Sequence, residues 1–130
     1  MKRRITFDNA TEFSFIHQGF CIGSSRHEKK SMTDVRNEAK VLDKFDAISK
    51  PVLRPDNTPD MYPTGDPVRE FTSGCLVLTN DELGMLRRYF ESVPWQSRVS
   101  REVVKLCDKI IYAEEVPDIE PKVVSGKFEA

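Results

Sequence analysis

The residues of this chain with the most chemistry to offer are two histidines and three cysteines, and their spacing decides how much of it is open. His17 and Cys21 stand in a His-x3-Cys arrangement, and with His27 and Cys75 they could be assembled into a four-ligand zinc set. Structural zinc sites, however, are built on tight Cys-x2–4-Cys pairs, and Cys21, Cys75 and Cys107 lie far apart. Each sits among apolar neighbours, so the three read as small buried hydrophobes of a reducing compartment, not as a disulfide framework. No metal and no cofactor is expected. Nucleophilic catalysis fares no better. The chain has no G-x-S-x-G turn, no Gly-rich phosphate loop and no H-E-x-x-H helix. Any Ser–His or Cys–His pair would have to use one of only two histidines. The reading is non-enzymatic, with no catalytic residue.

Positive charge offers a second chemistry. Arg98, Arg101, Lys105 and Lys109 fall at i, i+3, i+7 and i+11, on one side of a predicted helix at 98–113 and opposite a Val–Ile stripe. The short link Pro94-Trp95-Gln96-Ser97 before that helix is compatible with helix-turn-helix geometry, and Arg87 and Arg88 add charge nearby. This carries the alternative of a small regulatory or inhibitory binding protein, one form of which binds DNA through this helix. Against it, Glu102 and Asp108 interrupt the face, as on any solvated amphipathic helix. A net charge of −1 also disfavours general affinity for nucleic acid or anionic membrane.

The third feature is backbone chemistry. Prolines occupy every fourth position from Pro51 through Pro55, Pro59 and Pro63 to Pro67. Proline lacks the amide donor and fixes φ, which excludes a helix interior or a central strand, and it pushes each preceding residue toward extended geometry. The expectation is a stiff extended arm over 50–68 that spans about 50 Å at the polyproline rise. The P-x-x-x-P spacing rotates successive prolines off a shared edge, so an SH3 or WW ligand, which needs P-x-x-P, does not fit. The arm is expected either to lie along a partner or to wrap the protein's own sheet. Met61 and Tyr62, mid-arm, are the side chains expected to anchor in a pocket. Trp95 is either an interface anchor or a cover for the end of its own core.

Hydrophobic residues at 38% against 32% charged fit a small core with appendages better than a compact enzyme. The longest apolar runs are too short to span a bilayer, and Met1-Lys-Arg-Arg leads into no apolar signal segment. Residues 3–23, rich in Phe, alternate around Asp8-Asn9 and predict a β hairpin or short meander. A helix follows over about 32–49, with Val35, Ala39, Leu42 and Phe45 on its stripe and Ser31 or Thr33 as its cap. A strand is predicted over 70–79. Thr79-x-x-Glu82 is a capping box opening a second helix, weakened at Gly84 and ended by Pro94. The third helix carries Val99, Val103, Leu106, Ile110 and Ala113, and its wide apolar face predicts the most buried of the three. The fold class is α+β, with the hairpin and one further strand packed on three helices. It forms a single domain over 1–115, followed by an extended tail at 116–130.

The segments Glu38-Ala-Lys-Val-Leu-Asp-Lys-Phe-Asp46, Gly74-Cys-Leu-Val-Leu-Thr-Asn-Asp-Glu82, Val93-Pro-Trp95 and Ser100-Arg-Glu-Val-Val104 together resemble small uncharacterised proteins of tailed bacteriophages and prophages, found among head and tail assembly genes. The likeness spans residues 31–115. It implies a virion or assembly component that works by protein–protein contact, in the virion or host cytoplasm. The partners it implies are other assembly subunits or copies of the chain itself, and it transfers no catalytic residue. The partner-binding candidates are Pro51, Pro55, Pro59, Met61, Tyr62, Pro63, Pro67 and Trp95.

Overall fold

Asn9 and Glu12 fix where the first helix begins. The Asn9 side-chain oxygen accepts from the Glu12 amide at 2.9 Å, and the Glu12 carboxylate accepts in turn from the Asp8 amide at 2.9 Å. This reciprocal cap satisfies donors that a helix start leaves orphaned. The computed structural model describes residues 2–27 and 29–116. Within them the order is β1 (Lys2–Thr6), α1 (Ala10–Ser25), α2 (Met32–Ala47), β2 (Ser49–Pro51), β3 (Arg69–Phe71), β4 (Cys75–Thr79), α3 (Asn80–Ser92), a 3-10 turn (Ser97–Val99), α4 (Ser100–Ile111) and β5 (Glu114–Val116). The α+β class stands. The N-terminal hairpin does not: only β1 is strand, and residues 10–25 form a fourth helix. The alternation of Phe13 and Phe15 around Ser14 masks the helical spacing of Phe13, Ile16 and Phe20, all fully buried.

β1 is the central strand of an antiparallel sheet ordered β4-β1-β5, with Ile5 opposite Leu76 and Arg4 opposite Glu114. Ile5, Leu76 and Leu78 turn one face of it onto the helices and are fully buried. The strand expected over 70–79 is two strands in different sheets. Gly74, at φ +106°, turns the chain between them, and the Thr72 amide donates to Ile48. Glu114–Val116 is strand where a tail was expected to begin, and the rest of that tail lies outside the described residues.

α1, not α4, is the most buried helix. Gly19 and Gly23 lie inside it where α3 comes close. The side a Gly23 Cβ would take is filled by the Tyr89 backbone. α2 begins at Ser31, whose hydroxyl accepts from the Asp34 amide. Its buried side chains are Val41 and Phe45, so the stripe is rotated from the one expected, and Val35 is exposed. α3 opens with the expected capping box, Thr79 and Glu82 each holding the other's amide.

The proline segment is not an extended arm. Residues 53–59 and 61–67 are two consecutive small hairpins, with Leu53 opposite Pro59 and Met61 opposite Pro67. The amides of Arg54 and Asn57 bond to Thr58 and Arg54, and those of Tyr62 and Gly65 bond to Asp66 and Tyr62, in the same pattern. Each loop turns its corner at a proline, Pro55 or Pro63, and closes on a left-handed residue, Asn57 at φ +68° or Gly65 at φ +91°. That is the three-residue hairpin loop with a left-handed third position. At the base the Val52 amide donates to Val68, the Val68 amide to Asp60, and the Asp60 amide to Val52. Positions 52, 60 and 68 thus close a ring of three backbone bonds, and the four-residue proline period is half of an eight-residue repeat. Alternate prolines mark corners. The others stand where no donor is required of them.

Candidate binding site

Trp95 is held by its own neighbours before it meets anything else. Its indole N–H donates to the Phe90 carbonyl at 2.9 Å, satisfying an acceptor left open near the end of α3. Its ring lies 5.0 Å from that of Phe90 and 5.8 Å from that of Phe15. One side remains open, and there Trp95 walls a groove of about 390 Å³ with Phe15, Gln18 and Ile22 of α1, Val93 and Pro94 at the end of α3, and Gln96, Arg98 and Val99 beyond. A second depression of about 330 Å³, over Ala10, Thr11 and Ser14, shares Phe15 and Gln18 with the first. α1 therefore has two working faces: Phe13, Ile16 and Phe20 enter the core, while Phe15, Gln18 and Ile22 floor a groove.

The groove joins residues of both candidate sets, Trp95 and Arg98. Of the basic row, Arg98, Arg101 and Lys105 are exposed and make no ion pair among the described residues. Lys109 is spent within the fold. Its ammonium reaches Glu12 at 2.6 Å, the Thr6 carbonyl at 3.1 Å and Asp8 at 3.6 Å. Burial pushes the Glu12 carboxyl up, but the bonds from Lys109 and the Asp8 amide outweigh it and hold the group below its ordinary range. The connection between α3 and α4 runs from Val93 to Val99, longer than the three- or four-residue turn of a helix-turn-helix.

The two anchors expected in the proline segment diverge. Met61 is exposed, while Tyr62 is half-buried against α1, its hydroxyl 3.1 Å from Nδ1 of His17. Pro51, Pro55, Pro59, Pro63 and Pro67 are all exposed, at the corners and edges of the hairpins. His17 Nε2 faces Cys21 Sγ at 3.7 Å, and the ring stacks on Phe13 at 5.6 Å between centroids. Burial, with the Arg69 charge added, pulls His17 down to about 4. Burial, with Asp66, Glu38 and Asp46 added, pushes the Cys21 thiol up to about 12. Near neutral pH the pair is therefore imidazole and thiol, not imidazolium and thiolate, and both side chains are almost fully covered.

Phe15, Gln18, Ile22 and Val93 are groove residues that sequence reasoning missed. The signal was present as the i, i+3, i+7 spacing of Phe15, Gln18 and Ile22, legible only once residues 10–25 are read as helix. Comparison with protein-family models, with curated proteins and with solved structures gives no match. No helix among the described residues is long and apolar enough to cross a membrane.

Proposed function

We propose that this chain is a non-enzymatic structural or assembly protein of phage type that acts through protein–protein contacts. The observation that carries the reading is the groove at Trp95. It is preformed and walled by apolar and aromatic side chains, and its tryptophan is already fixed by a hydrogen bond, so little ordering remains to oppose docking. The His17–Cys21 pair lends support from the other side. Its thiol and imidazole stand 3.7 Å apart, and burial keeps both neutral and covered. The contact surface in this reading is the groove and not the proline segment, where the amides of Val52, Arg54, Asn57, Asp60, Tyr62, Gly65 and Val68 bond within the segment itself. The phage-type role rests on the resemblance over residues 31–115.

The test is site-specific photocrosslinking in the cells that naturally produce the chain, with the crosslinker at Gln96 on the groove and, as control, at Arg36 on the exposed side of α2. The expected result is a discrete Gln96 adduct with a head or tail structural subunit, absent from the Arg36 control. Adducts at Gln96 with nucleic acid alone, or an identical spread of adducts from both sites, would overturn the reading.

A further inference from the structure

α4 runs antiparallel beside α1. Its C-terminal Lys109 sits over Glu12 at the start of α1, while Arg98 and Val99, at the other end, share the groove with Gln18 and Ile22. Arg101 and Lys105 share one face of α4 at i and i+4, and Arg98 stands in the 3-10 turn that leads into it. Lys105 also feels the α1 side, since its charge helps hold the Glu12 carboxyl down. The result is a floor of small and apolar side chains on α1 running beside a basic edge on α4. From Thr11 to Ile22 the floor measures about 16 Å at the helical rise, three turns of a docked helix. Three exposed cations stand along that side against two exposed carboxylates of α4, Glu102 and Asp108, while Asp8 and Glu12 are already answered by Lys109.

We propose that this surface docks an acidic amphipathic helix of a partner protein, apolar side chains at i, i+3 and i+7 entering the groove at Phe15 and Trp95, and carboxylates meeting Arg98, Arg101 and Lys105. The proposal rests on the protein-contact reading above and adds the chemistry of the partner. An apolar floor with a one-sided basic edge fits the helix-in-groove mode. The phosphates of a nucleic acid would instead favour cations on both flanks of a polar channel. The excess of positive charge selects against basic helices and speeds encounter with acidic ones.

Trp95 is the single tryptophan of the chain, so its fluorescence reads the groove directly. The full-length protein is titrated with a designed helical peptide carrying Leu and Phe on one face and Glu on the other. Parallel titrations use the same peptide with Lys for Glu, and a duplex and a single-stranded DNA oligonucleotide. The expected result is a saturable change in Trp95 emission with the Glu peptide. Its affinity should fall at least tenfold in the double variant Arg98→Glu, Lys105→Glu and weaken with added salt, and the Lys peptide should give no saturation. Equal binding of the Glu and Lys peptides, or binding that leaves Trp95 emission unchanged, overturns the acidic-helix proposal. In that case a protein adduct at Gln96 would still uphold the protein-contact reading. Saturation by either oligonucleotide, lost in the double variant, would overturn both.

Discussion

The hydroxyl of Tyr62 and Nδ1 of His17 lie 3.1 Å apart, and this contact joins the proline hairpins to α1. A neutral imidazole has one N–H and one lone pair. Here each ring nitrogen has a single partner, Tyr62 on one side and Cys21 on the other. Tyr62→Phe keeps the ring and removes the partner, leaving a buried nitrogen unpaired. The expected loss is about 1–3 kcal/mol of stability, with faster hydrogen exchange at the amides of Arg54, Tyr62 and Gly65. Unchanged exchange in the hairpins would show that they do not depend on this contact.

His17 also gives the molecule a pH dependence of known sign. Burial lowers its value from 6.5 to about 4, so between those limits the unfolded chain binds a proton that the folded one does not. Stability therefore falls as pH drops through that window, by about 2 kcal/mol between pH 7 and pH 5. The carboxylates Glu12, Glu38 and Glu82, all held below 4.5, add their own losses only at lower pH. Denaturant melts of wild type and His17→Gln at both pH values test this: the variant should lose most of the slope. An equal slope would place the titrating group elsewhere.

How far the sequence discloses this fold depends on whether one signal or two act on a segment. Thr79 and Glu82 announce α3 unopposed, and the capping box forms as read. In residues 10–25 a period of two from Phe13 and Phe15 competes with a period of 3.6 from Phe13, Ile16 and Phe20. Gly19 and Gly23 tilt the choice toward strand, although they are there because α3 comes close. The proline segment is extended residue by residue, yet Asn57 and Gly65 reverse it because each follows a proline corner by two positions. The groove was the least legible part. It is assembled from a second face of α1 and a link, two pieces that only the tertiary fold brings together.

Two helical glycines make opposite predictions. Gly23 has the Tyr89 backbone where its Cβ would go, so Gly23→Ala must push α1 and α3 apart, at about 3 kcal/mol by the upper range for overpacking. Gly84 on α3 meets nothing closer than the flexible end of Arg88 at 3.9 Å. Gly84→Ala should therefore stabilise by about 1 kcal/mol, the difference in helix propensity. Thermal melts decide, and a destabilised Gly84→Ala would mean that something other than propensity holds that position.

The left-handed corners of the two proline hairpins predict a further asymmetry. A Cβ at Gly65 would meet no atom within 4 Å, so any loss in Gly65→Ala comes from backbone strain alone, about 1–2 kcal/mol at φ +91°. Asn57→Gly at the equivalent corner relieves a conformation that Asn tolerates and should change stability by less than about 0.5 kcal/mol. Equal effects of the two changes would remove the equivalence of the hairpins.

Leu106 is fully buried on α4 and sits in the cluster with Ile110, Phe90 and Leu86, while Lys105 beside it is exposed. Leu106→Ala removes methylenes from a closed core and leaves a cavity, which should lower stability by about 2–5 kcal/mol, a large share of a small domain's total. Lys105→Ala should change it by less than about 0.5 kcal/mol. The contrast matters beyond the core. α4 can present its basic edge beside the Trp95 groove only if its opposite face is anchored, so Leu106→Ala should also shift the Trp95 emission of the folded protein, whereas Lys105→Ala should leave it in place. If Leu106→Ala melts like wild type, α4 is not held by this packing. The placement of Arg101 and Lys105 beside α1 would then lose its physical basis.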